Sequence, residues 1–308
     1  MSKMIPVILF LSSVLFAFQL GACKKKEAPP AAKQARVAAT KAFEEYFGPP
    51  PTTDKGTCFA FVIYFPSARE PGKVVPFPFF TFDEGSMKKV ALERLLGGME
   101  VGSYQGEFLR PFHPGTHLLG VTEDKGVVTV NFSKEILDSR ADAATEKALL
   151  NSLALTLSQF GGVKEVRVQV EGKESGTVNG KDVAEFFGHG GLKKQPLDPE
   201  EAGIARPSAP RLLSVTAMKE KGKKDVEEVN AFFDRPVEIK ELKMADREGK
   251  PFVGDVYHAV FDMAAVLKPK EPSLFKAGMP VKVRWKVVDK LGRPAEGDEE
   301  VSLEVKEH

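Results

Sequence analysis

The sequence predicts an α+β protein, in which a small β-α-β-β-α-β domain over residues 56–175 is followed by an all-β sandwich over 210–308. Three observations predict it. Before residue 175, two stretches with helical periodicity alternate with short β-branched runs. After residue 210 no helical stripe remains, and six apolar or alternating runs are separated by turn residues. Between them lies a polar stretch, 176–209, broken by Gly188, Gly190, Gly191, Pro196, Pro199 and Pro207, the composition of a linker.

Taken in order, the chain opens with Lys3 and an apolar stretch from Met4 to Phe18. A membrane span needs about 20 apolar residues, so this shorter run has the anatomy of an export signal, with a plain secretory signal or an anchor helix as the alternatives. Its end, Leu20-Gly21-Ala22-Cys23, resembles the bacterial lipobox. That resemblance implies a signal peptide over 1–22 and a diacylglycerol and palmitate anchor on Cys23. Each buried acyl methylene contributes about 0.8 kcal/mol to membrane binding, and Lys24-Lys25-Lys26 would add contact with anionic headgroups. Lys24 directly after the cysteine resembles the sorting pattern for the periplasmic leaflet of an outer membrane; a host with one membrane would display the protein on its outer face. The Lys-, Ala- and Pro-rich residues 23–55 form a tether, with a short helix between Lys33 and Phe47.

In the first domain Cys58–Phe65 is a strand, and Ser86–Gly98 a glycine-stopped helix with Met87, Val90, Ala91 and Leu95 on one stripe. Leu118–Thr122 and Val127–Phe132 flank Asp124-Lys125-Gly126 as a hairpin. Asp142–Phe160 is a longer helix with Ala148, Leu149, Ser152, Leu153, Thr156 and Leu157 at helical spacing, and Val163–Val170 alternates as a half-exposed strand. Helices on one sheet face make the layer. The Phe- and Pro-rich stretch Pro66–Gly85 is an insert whose Phe77, Phe79, Phe80 and Phe82 form either a docking surface or a cap on the sheet.

Several words in this order carry a family resemblance: Tyr64-Phe65, Ala91-Leu92-Glu93-Arg94-Leu95-Leu96-Gly97-Gly98, Pro114-Gly115-Thr116, Val128-Thr129-Val130-Asn131-Phe132, and Val166-Arg167-Val168-Gln169-Val170-Glu171-Gly172. Together, over Gly56 to Glu174, they resemble the sporulation and germination GerMN domain. The resemblance implies a small α/β module akin to the ring-building modules of envelope secretion complexes, without catalytic residues. Asn131 stands where that family usually has Asp.

The second domain has runs at Leu212–Met218, Val226–Phe233, Val237–Met244, Val256–Val266, Val281–Val288 and Val301–Val305, a spacing that suits a β-sandwich. Phe233-Asp234-Arg235-Pro236-Val237-Glu238 and the segment Val283–Gly297 resemble the Ig-like CopC copper-resistance domain. Pro210-Arg211-Leu212 lacks that family's amino-terminal His, however, and Leu291-Gly292-Arg293 replaces its Asp-Gly-His. Without imidazole or clustered thioethers there is no soft ligand set for copper, so an Ig-like scaffold with no metal is expected.

Catalytic spacings are missing as well. There is no nucleophile elbow, zinc-protease helix or phosphate loop, and Gly188-His189-Gly190-Gly191 has no helix behind it. His113 and His117 are separated by Pro114-Gly115, which favours a turn over a shared helix face. Glu227-Glu228 and Asp298-Glu299-Glu300 have the composition of solvated loops. Cys58, in an apolar run, is an inert buried thiol with no intramolecular partner once Cys23 carries lipid. With 44 Lys+Arg against 43 Asp+Glu, no charge surplus recommends nucleic acid. The expectation is a non-enzymatic envelope protein without cofactor, held to the membrane by lipid and working by contact with an envelope protein. A receptor for peptidoglycan or a small ligand is the alternative.

Overall fold

The structure, a computed structural model, describes residues 36–53, 56–98, 108–187, 203–205 and 209–308. Residues Gln34–His308 form one compact unit. The signal peptide, Cys23 and the Gly188–Gly191 stretch lie outside the described residues.

The strand and helix series expected of the first domain is present: β2 (Thr57–Pro66), α2 (Met87–Gly97), β4 (Leu118–Asp124), β5 (Val127–Phe132), α3 (Ala143–Ser158) and β6 (Glu165–Val170). The β4–β5 turn holds Lys125 and Gly126 at φ 50° and 87°, the left-handed pair that a two-residue hairpin needs. Instead of one sheet, the strands form two three-stranded sheets, β1-β2-β3 and β4-β5-β6. They share a core in which Phe61, Phe65, Leu92, Leu95, Val130 and Leu153 are fully buried. Each such side chain contributes about 1.5–3 kcal/mol on leaving water.

Three segments fold where the sequence suggested tether, insert and linker. Residues 36–47 are not one helix. Arg36–Ala39 is a strand, β1, parallel to β2, followed by α1 (Lys41–Phe47). Thr40 caps α1 by accepting from Phe43 N at 3.2 Å, and Phe43 and Phe47 bury themselves on the sheet. The insert contains β3 (Val74–Thr81), antiparallel to β2. Val74 N donates outward to Gly203 O at 3.0 Å, so strand alternation puts the missing N–H groups of Pro76 and Pro78 on that same outer edge, where proline is tolerated. Residues 177–187 form a small hairpin, β7 (Thr177–Val178) and β8 (Lys181–Asp182), and a helical turn, α4 (Val183–Phe186). Val183, Phe186 and Phe187 are core residues.

The second domain is a sandwich of two sheets. One has the order β12-β13-β10-β9-β16, the other β11-β14-β15. The strands are β9 (Leu212–Lys219), β10 (Glu228–Phe233), β11 (Val237–Ala245), β12 (Gly254–His258), β13 (Ala264–Pro269), β14 (Pro280–Asp289), β15 (Pro294–Ser302) and β16 (Glu304–Glu307). The single run expected over 256–266 is thus a hairpin, turned at Phe261 and Asp262 with φ 63° and 55°. Inward-facing Val281, Val283, Trp285 and Val287 alternate along β14 and meet Val215, Ala217, Val229 and Phe233 in the core.

Candidate functional site

The four phenylalanines of the insert do not make one surface. On β3, residues 77 and 79 face one way and 80 the other, with Phe82 just beyond the strand's end. Phe77 is 2% exposed, in the core with Phe61 and Phe65, so it is withdrawn from any docking surface. Phe79 packs on the same core beneath the guanidinium of Arg94, 5.6 Å from its ring centre. Phe80 lies against Phe43 and stacks on Phe261 of the sandwich. Of the four, Phe82 is left open to solvent, at 58%.

What the sequence did not single out is a cleft of about 240 Å³ where the two domains meet. Its apolar wall comes from Phe47 at the end of α1, Val75, Pro76 and Phe77 on β3, and Phe108; Leu213 of β9 faces them. Arg69 and Glu70, from the β2–β3 turn, and Arg211, entering β9, supply charge at the lining, with Asp234 and Arg235 behind.

Arg235 is 3% exposed and forks onto Asp234, with Nε 2.9 Å from Oδ1 and Nη2 2.8 Å from Oδ2. Its Nη1 lies 3.6 Å from Oδ2 of Asp289, which also accepts from Arg293 Nε at 2.6 Å. Asp289 Oδ1 accepts the backbone N–H groups of Leu291 and Arg293, closing the turn that aims Arg293 outward. Arg293 Nη2 then donates to Tyr46 O, at the end of α1, at 3.2 Å. Arg211 completes the group, its Nε 3.5 Å from Asp234 Oδ2 and its N–H donating to Oδ1. A buried ion group of this kind holds when each charge is paired and hydrogen-bonded. Here it stitches the sandwich to the first domain through Arg293 and Tyr46, and its Arg211, Asp234 and Arg235 line the cleft.

The remaining predicted groups are not brought together. His113 O accepts from Thr116 N at 2.9 Å, which places the two histidines in a turn. Glu228 and Asp298 to Glu300 lie on β10 and β15 rather than in loops. Glu228 accepts from Tyr257 Oη at 2.8 Å, and burial together with that carboxylate pushes the Tyr257 phenol up to about 12. Asp298 and Glu300 sit opposite Arg284 and Lys282 of β14 as cross-strand pairs. Cys58 is fully buried, and burial raises its thiol pKa, away from nucleophilic use. Among the described residues no group of His, Cys, Asp and Glu could hold a metal ion, and no helix is long and apolar enough to cross a membrane.

Residues 62–176 match the family model Germane, described as sporulation and spore germination. The first GerMN domain of the sporulation protein GerM from Bacillus subtilis is 24% identical, with 36% of this chain and 82% of that one covered, at a TM-score of 0.31. The tandem GerMN domains of the same protein are 17% identical over 63% of this chain and 58% of that one, TM-score 0.35. CopC from Methylosinus trichosporium OB3b is 19% identical over 32% of this chain and 97% of that one, TM-score 0.23. No curated protein matches the chain.

Proposed function

We propose that the protein is a non-catalytic component of the cell envelope, anchored by lipid on Cys23, that works by contact with another envelope protein. The observation that carries this reading is the Germane match over residues 62–176. A second support is the chemistry of the junction cleft. Its buried Arg235 and Asp234 are committed to each other through two hydrogen bonds, whereas an acid–base pair needs a group poised to give or take a proton. Whatever its conformation, the stretch from Cys23 to Arg36, the first described residue, spans at most about 45 Å at about 3.5 Å per residue. That reach keeps the folded domains close to the membrane that holds the lipid. The alternative, a receptor for peptidoglycan or a small ligand, is favoured by the cleft itself.

Metabolic labelling with an alkyne analogue of palmitate tests the anchor. Labelled, membrane-bound wild type and unlabelled, released Cys23→Ser are expected, and an unlabelled wild type would remove the anchor. Photocrosslinkers placed at Phe82 and, as control, at Lys223 test the contact role in intact cells. A discrete adduct at Phe82 and none at Lys223 supports it. The same adduct pattern at both positions, or none at either, refutes contact through this face.

A further inference from the structure

Tyr257 of β12 is held in a way that presents its ring. It is 42% exposed, yet its hydroxyl donates to Glu228 Oε2 at 2.8 Å. Glu228 Oε1 in turn accepts from Asn230 Nδ2 at 3.1 Å, and Asn230 is buried. Three side chains are thus locked in series, from an edge strand to the middle of the five-stranded sheet.

Register fixes where the ring lies. Tyr257 and Asn230 both stand opposite Val266 of β13. Val229 and Leu267 point into the sandwich core, so Tyr257, Val266 and Asn230 belong to the outer face of the sheet. β12 and β10 are two strand spacings apart, about 9.5 Å. To reach Glu228 the phenol must be laid across β13, over the row of Val266, which is 1% exposed. One side of the ring rests on the sheet and the other is open, a platform fixed before any ligand arrives. A side chain already immobilised loses little further freedom on binding.

The platform borders a groove of about 570 Å³, within the roughly 300–1,000 Å³ of small-ligand sites. Its lining carries three lysines against four acids, Glu228 among them. Lys223 pairs with Glu220 at 3.7 Å, and Glu227 lies 3.5 Å from His308 Nε2. With both signs nearly balanced, neither a strong anion nor a strong cation is favoured, and the rim is too polar for a wholly apolar body. A neutral ligand rich in hydroxyls suits both signs, donating to carboxylates and accepting from ammonium groups. A pyranose with equatorial hydroxyls adds the matching apolar side. Its axial C–H groups make a positively polarised face, and the face of an aromatic ring is negative. Half-buried Pro272 extends the apolar side of the groove.

We propose that this groove on the outer face of the sandwich binds a carbohydrate of glucose-like configuration, one sugar ring stacked on Tyr257 and its hydroxyls bonded to Asp225 and Lys268. The proposal depends on neither the lipid anchor nor an envelope protein partner. A free sugar and a stretch of a polymeric glycan share this chemistry.

The test is saturation-transfer NMR on the full chain carrying Cys23→Ser, titrated with methyl β-glucoside, methyl β-galactoside, cellotetraose and chitotetraose. Saturable binding of the glucose-configured sugars is expected, with transfer strongest at their axial ring protons. The galactoside, whose one axial hydroxyl interrupts the apolar face, should bind more weakly than the glucoside. Tyr257→Ala should weaken binding about tenfold or more. Tyr257→Phe keeps the ring but frees it from Glu228, and should fall between, about two- to tenfold weaker than wild type. Both variants should leave the Trp285 emission of the folded sandwich unchanged, and Leu119→Ala, exposed on the first domain, should not alter binding. A tetrasaccharide that binds more tightly than the glucoside would place the source in a polymer, and equal affinities in a free sugar. No saturable binding of any of these sugars at about 10 mM, a galactoside as tight as the glucoside, or binding unaltered by Tyr257→Ala would overturn the proposal.

Discussion

Phe80 of the first domain and Phe261 of the sandwich lie face to face, their ring centroids 4.3 Å apart and their planes inclined by 5°. Phe82 approaches the same ring at 6.0 Å. The aromatic insert thus meets a partner within its own chain. Phe261 reaches that position from a left-handed backbone, φ 63°, which costs a side chain with a Cβ about 1–2 kcal/mol. An aromatic pair contributes about 0.5–1.5 kcal/mol beyond its buried area, so stack and strain are of similar size.

Two substitutions separate them. Phe261→Ala loses the stack and keeps the strain, whereas Phe261→Gly loses the stack and relieves it. Urea denaturation should find both less stable than wild type, with the glycine variant about 1 kcal/mol above the alanine one. Equal stability of the two variants would mean that the turn stores no strain.

The outer edge of β2 is shared between a strand and a helix. β1 covers it from Thr57 to Ala60; beyond that, Val62 N donates to Gln159 Oε1 at 2.8 Å and Tyr64 N to Thr156 Oγ1 at 3.1 Å. Thr156→Val keeps the shape but strands a buried N–H, a loss of about 1–3 kcal/mol. Thr156→Ser should retain most of the wild-type stability. A valine variant with an unshifted urea midpoint would show that this bond contributes nothing.

That edge also shows how far residue patterns reach. Thr156 and Ser152 fell on the apolar stripe of α3 by spacing, and the stripe is buried as its period requires; their polarity has its reason in backbone groups 92 and four residues away. Strands with a clean period, such as β5 and β6, were legible. β1 was not, because four residues carry no period and its parallel partner lies beyond a helix. β3 was hidden by prolines that an edge tolerates. In 177–187 the glycines outweighed a usable signal, Asn179-Gly180, which sits at φ 49° and 81° as a hairpin turn. The cleft was the least legible feature. Phe47, Phe77, Arg211 and Arg235 belong to no shared motif, and only the docking of two domains makes them neighbours.

Glu146, in the first turn of α3, accepts from Asn179 Nδ2 at 3.0 Å and from Lys181 Nζ, so it latches the β7–β8 hairpin. The Lys181 hydrogen bond holds its carboxyl below the ordinary glutamate value of 4.5. The folded protein therefore takes up this proton less readily than the unfolded chain. The stabilisation is complete above about 4.5 and is lost as pH falls through the depressed value. Asp142, the N-cap of α3, is lowered by the Thr145 N–H and acts in the same direction. Glu146→Gln should be less stable than wild type at neutral pH by on the order of 1 kcal/mol, and the gap should close in acid. A gap independent of pH would show that charge plays no part in the latch.

Gly297 on β15 pairs with Trp285 on β14, and a Cβ placed on it would lie 2.7 Å from the indole ring. The ring is 4% exposed, with Nε1 donating to Glu299 Oε1 at 3.3 Å. A rigid ring cannot yield as a flexible chain end does, so Gly297→Ala must move either the indole or the edge strand, at about 1–3 kcal/mol. Gly278, at φ 77° with open space around its Cβ position, offers a control for backbone strain alone. As the sequence has one tryptophan, fluorescence distinguishes the two cases. Gly297→Ala should shift the native emission to the red and lower the urea midpoint, whereas Gly278→Ala should lower the midpoint and leave the emission in place. Native emission unchanged by Gly297→Ala would show that the indole is not seated on this glycine.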